Sequence, residues 1–338
     1  GAAGAGGGGY SGDLAVAHGT SPYISVYPWD AGFGTKYANP STLPAYTCRS
    51  VAFSPDGADI AVGHNGSPFI SAYPWSSGFG TKYANPGTTP PKQGECIAFS
   101  PDGADIAVVH DSSSNIHVYP WSSGFGTKYS DPGDAPLDTA YAVTFSPDGA
   151  YIVLGHKYAG GDFTYVSAYP WSSGFSRQVS DPSTPPTGRS YGVAFSPDGA
   201  DIALAHFSSP RISVYPWSSG FGTKYSDPTT VPTGTAYGVT FSPDGTDIAV
   251  AHATSPYISV YPWSSGFGTK YSDPSTLPTG TGRTVAFSPD GADIAVAHYT
   301  SPSISVYPWS SGFGTKYANP STLPTGDGVG VAFLPEAA

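Results

Sequence analysis

Apolar and polar positions alternate along this chain in short bursts, and the bursts recur. "DIAVAH" alternates over its length, "ISVYPW" alternates up to its proline, "TVAFS" is a short apolar run, and "GTKYAN" is more polar. Alternation with a period of two predicts strands with one face buried, and no window sustains the 3.6-residue period of a long helix. "SPDG" lies between "TVAFS" and "DIAVAH" and reads as a hairpin turn, with Gly free to take positive φ. "SSGFG" and "NPSTLPTG" read as Gly/Pro/Ser connections.

These segments form one repeating unit. Tyr-Pro-Trp begins at Tyr27, Tyr73, Tyr119, Tyr169, Tyr215, Tyr261 and Tyr307, in steps of 46 residues with one step of 50. A period in the forties with four strand-like segments predicts an all-β, seven-bladed propeller with four-stranded blades. First strands centre on Phe53, Phe99, Phe145, Phe195, Phe241, Phe287 and Phe333, and none precedes "GDLAVAH". The C-terminal strand should therefore pair with the 13–18 strand and close the ring, one strand plus three. An open end would expose unpaired backbone and an apolar face. Residues 1–9 read as a glycine-rich linker and 10–338 as the propeller.

Over residues 10–338 the units resemble WD40-type propellers in the broad sense, through "VAFSPDG", an alternating second strand and an aromatic ending the third. No Gly-His precedes the first strand and Tyr-Pro replaces Trp-Asp, so the hydrogen-bonding tetrad of WD40 blades is not carried over. "YPWSSGFGTKY" after a glycine-rich start also resembles propeller repeats of bacteriophage structural proteins. That resemblance implies a virion-associated or extracellular chain.

Charge and cysteine content narrow the partners. A net charge of −11 with few Lys and Arg argues against nucleic acid. No apolar run is long enough for membrane insertion. There is no Met, even at position 1, which predicts a processed or excised piece of a longer chain or larger assembly. Cys48 and Cys96 are the only cysteines, too few for a disulfide framework, and free thiols are expected.

Comparison among blades separates two faces. Turns between strands one and two ("SPDG") and three and four ("PWSSGFG") are nearly constant, whereas the opposite loops vary. Four residues before the first-strand Phe stand Arg49, Glu95, Tyr141, Tyr191, Tyr237, Arg283 and Val329. Four before the Tyr of Tyr-Pro-Trp stand Tyr23, Phe69, Asn115, Tyr165, Arg211, Tyr257 and Ser303. Tyr, Phe and Arg dominate binding hot spots. The candidate binding residues are accordingly Tyr141, Tyr191 and Tyr237 as an arc, flanked by Tyr165, Arg49, Arg283, Tyr23, Phe69, Arg211 and Tyr257. Blade four adds a longer loop, "HKYAGGDFTYVSAYPW", with Tyr158 and Phe163.

Other chemistry is poorly supported. His18, His64, His110, His156, His206, His252 and His298 each end a second strand, once per blade. Neighbouring blades hold them too far apart to share a metal, so a hydrogen bond inside each blade is expected. Asp56 with Asp59, and their equivalents, lack the ligand alternation of a calcium loop and read as turn residues. There is no Gly-x-Ser-x-Gly elbow and no phosphate-cradling loop before a helix. No cofactor or metal is called for. The expected function is a non-enzymatic module whose variable face contacts a protein or glycan. The alternatives are a purely structural ring, and an enzyme with an off-axis site near Lys157, Asp162, Arg177 and Arg189.

Overall fold

The computed structural model describes residues 9–135, 138–157 and 164–336. Among them are seven antiparallel sheets of three strands each. In blade two the strands are Cys48–Phe53, Asp59–His64 and Ile70–Pro74, and the other blades repeat this order. Each Pro-Asp-Gly turn works as its residues dictate. In blade two Gly57 has φ 69°, Ser54 Oγ donates to Asp56 Oδ1 at 2.5 Å, and the same carboxylate oxygen accepts from the Ala58 amide at 3.0 Å.

The inner strands neighbour one another around a complete circle. Blade one is composite: the C-terminal strand Gly328–Phe333 pairs with Ser11–His18, which pairs with Ile24–Asp30. Tyr10 straps the joint, donating its hydroxyl to the Leu334 carbonyl at 2.7 Å and its amide to Asp290 Oδ2 at 2.6 Å. Closure is thus by the C-terminal strand, but one strand plus two.

The expected fourth strand is not a strand, and the cause is the proline of Tyr-Pro-Trp. The Val26 carbonyl accepts from the Tyr37 amide at 2.9 Å, so Val26 turns its polar groups away from the middle strand. Pro28, two residues on, shares that orientation and has no N–H to give. A tight return, with Gly34 N donating to Pro28 O at 2.7 Å, and the single Tyr37 bond are what remain. The "GTKYAN" segment packs as an edge cover without a ladder.

Hydrophobic burial lies between blades. Ala15, Ala17, Ile24 and Val26 of blade one pack against Val51, Ile60, Val62 and Trp75 of blade two, and equivalent clusters recur around the ring. A polar joint accompanies each cluster. Trp75 Nε1 donates to Asp13 Oδ2 of the preceding blade at 2.9 Å, and Tyr37 donates its hydroxyl to Asp13 Oδ1 at 2.8 Å. The Asp of "ADI", read above as a turn residue, is therefore the buried acceptor that ties one blade to the next (Asp59, Asp105, Asp201, Asp247 and Asp293 do the same).

The strand-ending histidines are blade bonds, with a partner the sequence did not indicate. His18, His64, His156, His206, His252 and His298 each place Nε2 2.9–3.0 Å from a serine hydroxyl on the adjacent strand.

Candidate functional site: the axial cavity

One backbone feature builds the site. In every inner strand the register slips by one residue close to the strand-ending His of its partner. In blade two Cys48 faces His64 and Ser50 faces Gly63, which leaves Arg49 as the extra residue of a β-bulge. The same slip sets out Glu95, Tyr141, Tyr191, Tyr237, Arg283 and Val329. A bulge frees a residue from the pleat and re-aims its side chain. Here all seven bulge residues line one axial cavity of about 450 Å³, with Ser50, Gln93, Cys96, Thr284 and Tyr299 completing its wall. Because they sit outside the ladder, these positions take large and varied side chains, while the residues on either side stay small.

Around the axis the order is cation, anion, three tyrosines, cation, valine. The tyrosines form a continuous arc: ring centroids are 4.8 Å apart for Tyr141–Tyr191 and 5.1 Å for Tyr191–Tyr237. Arg283 ends the arc, its guanidinium 4.0 Å from the Tyr237 centroid. The guanidinium also lies over the Tyr299 ring at 5.3 Å, and its Nε is buried without a hydrogen-bond partner, which leaves that donor for a guest.

Glu95 is the cavity's carboxylate. Burial raises its pKa above the usual carboxylate range, opposed by Arg49 and by a hydrogen bond from Gln93 Nε2. Arg49 Nη1 stands 3.8 Å from Glu95 Oε2, and Arg49 Nε donates to Asn65 Oδ1 at 2.8 Å, which fixes the guanidinium. The Tyr141 hydroxyl is pushed up to about 12 by burial, then by Tyr191 and Glu95, and stays a hydrogen-bond donor. The cavity thus combines a poised base, a fixed cation beside it and a flat aromatic wall. Among the described residues no group of three His, Cys, Asp or Glu converges to hold a metal.

Not every predicted residue reaches this cavity. Tyr141, Tyr191, Tyr237, Arg49 and Arg283 line it. Tyr23, Phe69, Tyr165, Arg211 and Tyr257 do not. Each lends its backbone carbonyl to the amide of the strand-ending His, at 2.9–3.1 Å. Tyr23, Phe69, Arg211 and Tyr257 do so at φ near 70°. These residues close a loop, and their side-chain variety follows from partial exposure. Tyr158, Phe163 and Asp162 lie outside the described residues. Lys157 Nζ pairs with Asp138 at 3.8 Å, Arg189 lies over the Phe207 ring at 5.0 Å, and Arg177 is exposed, so the described members of the off-axis set do not converge. Glu95, and Tyr299 just after its strand-ending His, stood at diversified positions but not among the chosen candidates, and Gln93 was missed. The i, i+2 spacing of Gln93 and Glu95 was the available signal.

No family model matches the chain, and no protein of curated function matches its sequence. Its fold is shared with solved structures. One is the periplasmic gluconolactonase of Pseudomonas aeruginosa, with TM-score 0.74, 19% identity, and 96% of this chain and 99% of that one covered. Two others are described as putative 6-phosphogluconolactonases. That of Bacteroides uniformis has TM-score 0.68 and 18% identity, covering 96% and 99% of the two chains. That of Bacteroides fragilis has TM-score 0.69 and 15% identity, covering 96% and 98%. At such identities the likeness establishes the propeller fold. It also corrects the expectation of a non-enzymatic, virion-associated binding module: the full-length neighbours named here are called lactonases, and neither the bacteriophage nor the WD40 resemblance is supported.

Proposed function

We propose that the axial cavity is the active site of a hydrolase that opens small hydroxylated lactones. The observation that carries this reading is Glu95, a buried carboxylate with a raised pKa, fixed beside Arg49 and facing the tyrosine arc. The names of the lactonase neighbours agree with it. The C–H face of a sugar-derived ring would stack on Tyr141, Tyr191 and Tyr237, while its hydroxyls meet Gln93 and Arg283. Glu95 takes a proton from water as the water oxygen attacks the lactone carbonyl carbon. Arg49 stabilises the oxyanion of the tetrahedral intermediate. The bond from that carbon to the ring oxygen then breaks, and the departing oxygen recovers the proton from Glu95. The product is the open hydroxy acid.

Glu95→Gln keeps the shape and removes the base. With glucono-lactone as probe, kcat should fall by about 100-fold or more with an unchanged melting temperature. In the wild type, activity should be lost as pH falls through a value above the ordinary carboxylate range, since the base must be ionised. Full activity in Glu95→Gln, or no turnover above the uncatalysed rate in the wild type, would overturn the assignment.

A further inference from the structure

The axial cavity has a neighbour with which it shares part of its wall. A second cavity of about 390 Å³ opens over blade one, and the two share Arg49, Tyr299 and Val329. One side chain explains the opening. Six of the bulge residues are Arg, Glu or Tyr, long enough to wall the mouth, and the seventh, on the closing strand, is Val329. Beyond Val329 the floor runs out to Gly19, Thr47 and Asp327. At Gly19 a side chain would fit, its Cβ in ordinary contact with the Asp327 backbone at 3.6 Å, so the lobe's edge could be filled from this position. The exposed Asp327 carboxylate accepts from the Thr300 amide at 3.2 Å and has an oxygen left to accept from a hydroxyl group, while its charge opposes that of Arg49 across the lobe, so the lobe as a whole favours neither sign.

We infer that the substrate has two rings: a lactone over the tyrosine arc and a second, uncharged hydroxylated ring in the lobe over blade one. The Arg49–Glu95 pair, of which Arg49 lines both lobes, meets the lactone carbonyl. The chemical class is a glycosylated aldonolactone. This inference rests on the lactone reading above, and its test separates the two.

The probes are maltobionolactone and glucono-lactone, followed by acid release, with calorimetric binding of the open acids maltobionate and gluconate. Two variants block the lobe: Val329→Tyr, which installs the residue found at three equivalent positions, and Gly19→Tyr. The wild type should favour maltobionolactone about tenfold in kcat/KM, and the ratio should fall toward one in both variants. A wild-type ratio near one, or a ratio unmoved by both substitutions, overturns the inference while leaving glucono-lactone hydrolysis standing. If neither lactone is turned over, yet maltobionate binds about tenfold more tightly than gluconate and Val329→Tyr erases the difference, the lobe stands and the hydrolase falls. Equal binding of the two acids with no turnover sinks both.

Discussion

His117 stands where six other blades carry the serine that bonds the strand-ending histidine. The consequence falls on His110, which is fully buried with both ring nitrogens lacking hydrogen-bond partners, its ring edge-on to His117 at 4.7 Å. Burial, then the neighbouring His117, pushes the His110 pKa down to about 3, and burial, then Lys128, pushes that of His117 down to about 4. Replacing His117 with Ser restores the bond made in the other blades and should stabilise the protein by about 1 kcal/mol in urea titration. His252→Ala should cost about 1–3 kcal/mol, because it also orphans Ser259. Equal midpoints for all three proteins would show that these bonds are energetically idle. That the histidines serve the blade was legible from their once-per-blade occurrence. The serine was not, because it lies seven residues away on the next strand and only the register brings the two together.

At the level of the element, blade four departs from the others in a coordinated way. Tyr151 replaces the bridging Asp and Val179 replaces the Tyr that bonds it. The Tyr151 ring packs edge-on against Trp217 at 5.2 Å, as Tyr37 does against Trp75 at 5.2 Å, so the aromatic contact survives while the buried carboxylate is gone. Tyr151→Asp with Val179→Tyr would rebuild the joint seen in the other blades. It should raise stability by about 1–2 kcal/mol, read as a higher thermal midpoint, whereas either single change should lower it by leaving a polar group unpaired. Three strands per blade were readable from alternation and the Pro-Asp-Gly turn. The fourth was misread because "GTKYAN" has the pattern of a strand, while the missing donor lies elsewhere, in Pro28. The inter-blade Asp–Trp bond was hidden for a similar reason. Its partners are 62 residues apart, as with Asp13 and Trp75, and neither repeat alone contains both. The axial ring, by contrast, was visible as a diversified position. What the sequence withheld was the bulge that makes it diversify and the cavity that gives Glu95 a role.

The whole molecule inherits the titration of its interior. His18, His64, His206 and His252 are held down to about 4 by burial, along with His117, and His110 lower still. A histidine depressed in the fold contributes stability that is complete above its unfolded pKa of about 6.5 and lost as pH falls toward the folded value. Two such groups titrating over that window remove about 7 kcal/mol, comparable to the stability of many native domains. Thermal midpoints should therefore hold near neutrality and drop steeply between about pH 6.5 and 4, and a flat profile there would contradict the burial of these rings. The same closed ring has one uneven seam. Between blades four and five the Trp–Asp bond is absent, yet Tyr141 and Tyr191 touch across that seam inside the cavity. A joint that lacks one of the buried bonds its neighbours have should yield more readily, and here that joint carries half of the aromatic wall. A guest lying across Tyr141 and Tyr191 acts as a clasp. Saturating the cavity should slow amide hydrogen exchange in Ala140–Phe145 and Ser190–Phe195 more than in the inner strands of the well-bonded blades. Binding at the axis would thus be felt as mechanical closure of the circle.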